Sequence, residues 1–105
     1  MEKVFYSVSD VAEILGESAS LVRFWSNSFP KYLKPVRNAK GNRQFTVSDL
    51  EAFKQIHYLV KEKGLSLEGA AREMSASRSK VDKSVKALES LKEIRAQLVA
   101  IKNSL

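Results

Sequence analysis

The chain has 105 residues, 44% of them apolar and 29% charged, with a formal net charge of +6. That composition suits one small globular domain with at most an appended element, and argues against a disordered chain. There is no cysteine and a single histidine, His57, so disulfides, Cys-based zinc or iron–sulfur sites, thiol redox sensing and converging metal ligands are all excluded. No cofactor is expected. No run of eighteen apolar residues and no basic-then-apolar leader occurs, so the expectation is a cytoplasmic protein with no membrane partner.

In chain order, Ser7-Val8-Ser9-Asp10 reads as a helix start. Ser7 can accept from free backbone N–H groups, and Asp10 three residues on completes a capping box at the positive helix end. Val11, Ile14 and Leu15 fall on one face, and Gly16 suits a left-handed stop. Ser18 caps a second helix, Ala19 to about Ser28, with Leu21, Val22 and Trp25 inward. Two short helices joined by a three-residue turn containing Gly describe a helix-turn-helix.

Pro30 and Pro35 end the helical run. Val36-Arg37 and Gln44-Phe45-Thr46 suit two short strands around Asn38-Ala39-Lys40-Gly41-Asn42-Arg43, a turn rich in residues that tolerate positive φ. This hairpin with a basic tip, a wing, must lean on the helices, because two strands alone are marginal. Thr46-Val47-Ser48-Asp49 repeats the capping-box grammar and opens a third helix, with Leu50, Phe53, Ile56, His57 and Val60 as its buried stripe and Gly64 as its stop. Ser66 caps a short fourth helix bearing Leu67, Ala70, Ala71 and Met74. Gly69 inside it points to close packing against the third helix.

Ser75-Ala76-Ser77 forms a small polar break, which divides the chain into a domain 1–75 and a terminal helix 76–105. From about Lys80 there is neither Gly nor Pro, and Val81, Val85, Leu88, Leu91, Ile94, Leu98, Ile101 and Leu105 recur at threes and fours. Leu91 to Leu105 is a regular coiled-coil seam. At 1.5 Å per residue such a helix spans roughly 40 Å, more than a small domain can cover. The exposed part, with Val85, Leu88, Leu91, Ile94, Leu98, Ile101 and Leu105 as the candidate interface, calls for a second copy of the chain; the competing reading folds the helix back on its own domain. The fold class is mainly α, a winged helix-turn-helix of four helices and a two-stranded wing, followed by a long dimerisation helix.

Charge supplies the functional signal. Between Glu17 and Asp49 there is no acid, while Arg23, Lys31, Lys34, Arg37, Lys40 and Arg43 lie there, interleaved with Phe24, Trp25, Phe29, Tyr32 and Phe45. A one-signed patch carrying aromatics suits a polyanion, here double-stranded DNA. Ser18 and Ser20 open the candidate recognition helix, where small hydroxyls and free N–H groups meet phosphates or base edges; Ser18 can equally be only a cap. Arg23 can offer bidentate donors to guanine, hold a phosphate or pair with a surface acid. Trp25 is either core or a phosphate donor from the rim, and Phe24 either packs on sugar or braces the wing. Lys31, Lys34, Arg37, Lys40, Asn42 and Arg43 extend the patch as backbone contacts, and Arg43 can alternatively bond carbonyls within the hairpin. Catalysis finds no support: there is no nucleophile–base pair, phosphate loop or carboxylate pair.

With this order in place, the chain resembles the MerR family of bacterial transcription regulators. The resemblance rests on Tyr6-Ser7-Val8-Ser9-Asp10-Val11-Ala12, Leu21-Val22-Arg23-Phe24-Trp25, Lys34-Pro35-Val36-Arg37, Gly41-Asn42-Arg43-Gln44-Phe45, Asp49-Leu50 and Lys63-Gly64-Leu65-Ser66-Leu67-Glu68-Gly69-Ala70. The Phe24-Trp25 pair followed by Phe29-Pro30 is closer to the curli- and carotenoid-type branch than to the metal sensors. The resemblance implies a homodimer through an antiparallel coiled coil, two winged domains in major grooves of a near-palindromic promoter site, bending or untwisting of that DNA, and RNA polymerase as a possible partner. It implies DNA contacts from Arg23 and the wing Arg37 to Arg43, with the aromatic pair at the phosphate backbone. Phe24 and Phe45 stand where many members have Tyr, which removes a phenol–phosphate bond and shifts that role to Trp25 and the lysines. No effector domain is expected after the dimer helix, so any signal would come from another protein or from expression level. Two alternatives remain: an architectural, excisionase-like DNA-bending accessory protein, and an interaction module whose tail pairs with a different chain.

Overall fold

The computed structural model describes residues 5–104, with side chains for 5–97. Its elements are β1 (Tyr6–Ser7), α1 (Val8–Leu15), α2 (Ala19–Ser28), β2 (Val36–Arg37), β3 (Arg43–Phe45), α3 (Val47–His57), a π-helical turn (Tyr58–Glu62) and α4 (Leu67–Ser104). This is the mainly helical winged arrangement expected, with one addition.

Both capping boxes form. Ser7 Oγ accepts from Asp10 N and Asp10 Oδ2 from Ser7 N; Thr46 Oγ1 and Asp49 Oδ2 do the same at α3. Gly16 closes α1 at φ 69°, a left-handed conformation only glycine adopts without strain. Because Ser7 is held extended as the cap of α1, the residues entering it are free to pair. Tyr6 lies opposite Phe45 and Ser7 opposite Gln44. The sheet is therefore three-stranded and antiparallel, in the order β1-β3-β2, rather than the two-stranded wing expected. β3 also ends one residue early, since Thr46 is committed to capping α3.

The core lies between α1, α2, the sheet and α3, with Trp25, Phe45, Phe53, Leu33, Ile56, Leu59, Val11 and Val22 almost fully buried. The rings of Phe45 and Phe53 meet edge to face at 5.0 Å. Ile14, expected inward, is 46% exposed; the short α1 turns Val11 and Ala12 to the core instead. α3 is covered on two sides, by α1 and the sheet and by α4. Its buried set is thus broader than one stripe: Ala52, Gln55 and Leu59 join it, while His57 and Val60 stay half-buried. The regular α-helix also stops at His57. The chain then widens into the π-turn, where Lys63 N donates to Tyr58 O at 3.0 Å, before Gly64 (φ 71°) ends it.

The expectation for Gly69 changes: a side chain there would meet Ser66 Oγ at 3.3 Å and Leu65 Cβ at 3.5 Å, so its crowding comes from the local cap and not from α3. The expected break is present: α4 consists of two helical stretches that meet at a kink at Ser77, whose φ −148° and ψ 45° are not helical. After the bend, Val81 and Val85 are buried, packed with the domain's own core. Val85 is therefore not free to serve a second chain. Leu88 is half-buried, beside a groove of about 280 Å³ lined by Ile14, Leu15, Tyr58 and Val85 together with the polar Lys54, His57, Glu62, Glu89 and Lys92. Leu91 and Ile94 are 53% and 54% exposed. Leu98, Ile101 and Leu105 lie outside the residues whose side chains are described.

Candidate nucleic-acid interface

The second helix of the helix-turn-helix starts where Ser18 Oγ accepts from Leu21 N at 3.1 Å, so one lone pair of that hydroxyl serves the cap. Val22, Trp25 and Ser26 face inward, which turns Ser20, Arg23, Phe24 and Asn27 outward. Phe24 is 53% exposed. Trp25 is 1% exposed and meets His57 edge-on at 6.1 Å. The core reading of Trp25 holds.

The wing is shaped by its own polar groups. Asn38 Oδ1 accepts from Lys40 N and Asn42 N, and the Asn38 backbone exchanges bonds with Asn42 O and Gly41 N. Gly41 takes φ 80° at the tip. The carbonyl brace inside the hairpin is made by Arg37, whose Nη1 donates to Gly41 O at 2.8 Å. Arg43 instead reaches across to α2, donating from Nη1 to Arg23 O at a long 3.4 Å. The sequence had offered the brace to the other arginine.

These ties bring Arg23, Arg37 and Arg43 around one open cleft of about 440 Å³, completed by Ser7, Val8, Ser9, Gly41 and Asn42. Among the described residues, no carboxylate lines it. Ser7 and Ser9 were not singled out from the sequence beyond their capping motif; only the pairing of β1 with β3, too short to show a strand pattern, places them beside the wing. Lys31, Lys34 and Lys40 are exposed, though Lys31 and Lys34 belong to the segment after α2 and do not line the cleft. Lys31 Nζ lies 5.5 Å from the centroid of the Tyr32 ring.

Among the described residues, none of the six window cations makes an ion pair. The acids at its two edges are drawn away. Glu17 Oε1 lies 3.1 Å from His57 Nε2 and 3.9 Å from Lys61 Nζ. Asp49 is buried, accepting from Thr46 N and from Lys34 N at 3.2 Å. A surface of cations with spare N–H donors, none of them in an ion pair with a described acid, is suited to gripping closely spaced phosphates.

Residues 6–77 match the family described as MerR HTH family regulatory protein. The regulator protein TubY of Clostridium botulinum C phage is 32% identical over 71 residues, which is 68% of this chain and 29% of the relative's length. Among solved structures, HiNmlR, a MerR family regulator lacking the sensor domain and bound to promoter DNA, is 25% identical with a TM-score of 0.57, covering 94% of this chain and 76% of that one. A MerR family transcriptional regulator from Bacillus cereus superposes with a TM-score of 0.60 at 18% identity, covering 96% and 79%. One from Bacillus thuringiensis gives 0.54 at 20% identity, covering 95% and 96%.

Proposed function

The chain belongs to the MerR HTH family of regulatory proteins, and we propose that it acts as a homodimeric, sequence-specific regulator on a near-palindromic promoter site. The observation that carries this is the cleft between α2 and the wing, where three arginines converge and no acid is among the described lining residues. Arg23, exposed on α2, reads bases, with Ser18 and Ser20 at the helix start. Lys34, Lys40, Asn42 and the wing arginines hold the backbone, and Lys31 extends that hold past the end of α2. Phe24 packs on a sugar. Phosphate contacts set position and affinity, while base contacts set sequence. That a family relative lacking a sensor domain is found on promoter DNA supports the DNA-binding reading.

The dimer reading rests on Leu91 and Ile94, large apolar side chains left half exposed along the outer part of α4. In it, residues 1–75 bind DNA and 76–105 join the copies, with Val85 removed from the interface and Leu88 at its inner edge. A dimer that holds two recognition helices at fixed separation bends or untwists DNA whose half-sites do not match that separation, and can thereby set how RNA polymerase meets the promoter.

Selection of bound duplexes from a random pool tests the proposal. The expected result is one motif with two-fold symmetry. Tandem direct repeats would instead support an architectural, excisionase-like role, and no enriched motif would leave only charge-driven binding.

A further inference from the structure

The bend in α4 at Ser77 is straddled by polar ties to two different parts of the winged domain. On its N-terminal side, Ser75 Oγ and Tyr32 Oη are hydrogen-bonded at 2.8 Å, joining α4 to the segment that follows α2. On its C-terminal side, Arg78 Nε donates to Gln55 Oε1 of α3 at 2.9 Å, and Gln55 Nε2 donates to Asp82 Oδ1 at 3.2 Å. The Arg78 guanidinium also stands 5.4 Å from the centroid of the Tyr32 ring, so the two ties converge. Gln55 is 3% exposed. Arg78 can only donate and Asp82 carboxylate can only accept, so its amide has a single satisfactory orientation.

The apolar residues that seat α4, Val81 and Val85, tolerate small rotations at little cost because their contacts are not directional. The polar ties do not. We propose that Tyr32 and Arg78 are positioning residues that fix the angle between α2 and the dimer helix, and so set the half-site spacing the homodimer accepts. This rests on the dimeric DNA-binding function proposed above.

The lever is long enough to matter. Beyond the bend α4 continues to Ser104, about 40 Å at 1.5 Å per residue, so a change of about 5° at Ser77 moves its far end about 3.5 Å, close to the rise of one base pair. In a two-fold dimer both bends contribute. The tie also begins at Tyr32, only a few residues after Ser28 ends the reading helix, so the angle is referred to the element whose placement on DNA counts.

The test uses the full chain and the operator recovered by selection, with the spacer between half-sites shortened or lengthened one base pair at a time. The wild type is expected to lose about tenfold in affinity for one step from its best spacing, since misplaced half-sites require deformed DNA. Tyr32→Phe with Arg78→Ala is expected to flatten that preference to about threefold or less while sedimenting as a dimer. Tyr32→Phe alone keeps the ring and is expected to move in the same direction, which covers the case of a poorly folded double variant. An unchanged spacing preference in a folded, dimeric variant overturns the proposal, as does an equal loss at every spacing, which would make these residues only stabilising or phosphate-binding. A wild-type monomer, or a selection with no motif, overturns the dimeric reading itself.

Discussion

Ile94→Asp separates dimer formation from folding. Ile94 is 54% exposed in the single chain, so about half the value of burying an isoleucine, ~1 kcal/mol, remains to be gained against a partner. A two-fold interface removes this twice, about 2 kcal/mol or some 30-fold in dissociation constant. The introduced carboxylate adds the cost of desolvating a charge, a further few kcal/mol unless it tilts to solvent. The combined expectation is a loss of at least about 30-fold and up to roughly 1,000-fold. Sedimentation velocity over a concentration series measures it, and thermal unfolding by circular dichroism at low concentration should be little changed. Val85→Asp is the contrast: Val85 is 7% exposed within its own domain, so that variant should lower the melting temperature even as a monomer. If Ile94→Asp dimerises as the wild type does, the exposed seam is not the interface, and the reasoning from its exposure is wrong.

Arg23→Ala should weaken binding to the selected operator by about 1–3 kcal/mol and leave random-sequence binding much less affected, as read by competition titration. Equal losses would reduce Arg23 to a phosphate contact. Lys40→Ala, at the wing, should lower affinity for all sequences alike and reduce the slope of log affinity against log salt by about 0.9; an unchanged slope would take the tip off the DNA. Asp82 offers a pH prediction: hydrogen bonds from Lys86 and Gln55 hold its carboxyl below the usual carboxylate range. A lowered folded pKa contributes stability that is present above the unfolded pKa and disappears as pH falls through the folded one. Asp82→Asn should therefore reduce the loss of stability on acidification below about pH 4 while changing little between pH 7 and 8; identical acid limbs would show that Lys86 and Gln55 do not favour the charged form.

The parts of the fold legible in the sequence are those fixed by local chemistry. Ser7 with Asp10, Thr46 with Asp49, and the glycines at 16 and 64 place helix ends because caps and left-handed stops depend on nearby residues. The missing strand was illegible because two residues cannot show an alternation, and Tyr6–Ser7 is extended because Ser7 is itself the cap of α1. Periodicity assigns Val85 to the interface because apolar residues recur at threes and fours from Val81 to Ile94, with one irregular step around Leu91; packing shows that Val81 and Val85 serve the domain's own core while Leu91 and Ile94 are exposed. The candidate site was legible as charge but not as shape. Six cations in a window free of acids are visible in the sequence, whereas the selection of Arg23, Arg37 and Arg43 around one cleft, with Lys31 and Lys34 elsewhere, needs the sheet.

The acid-free window is also kept free by the fold, and this links the charge pattern to stability. The acids bordering it are functional parts of the scaffold rather than surface charges. Glu17 follows the stop of α1 and turns toward His57 and Lys61, so it fastens the helix-turn-helix turn to α3 and the π-turn. Asp49 caps α3 and at the same time accepts the Lys34 N–H, so it fixes the segment leading from α2 into the wing. Each carboxylate thus has its charge engaged by groups inside or behind the domain. In an unfolded chain both would be solvated neighbours of the same cations, and their screening would blunt the positive field. Folding sorts these charges: Glu17 and Asp49 to the back and interior, the arginines to the cleft. The strength of the basic face is consequently a property of the packed domain, set by where α3 sits, and not of the cation count alone.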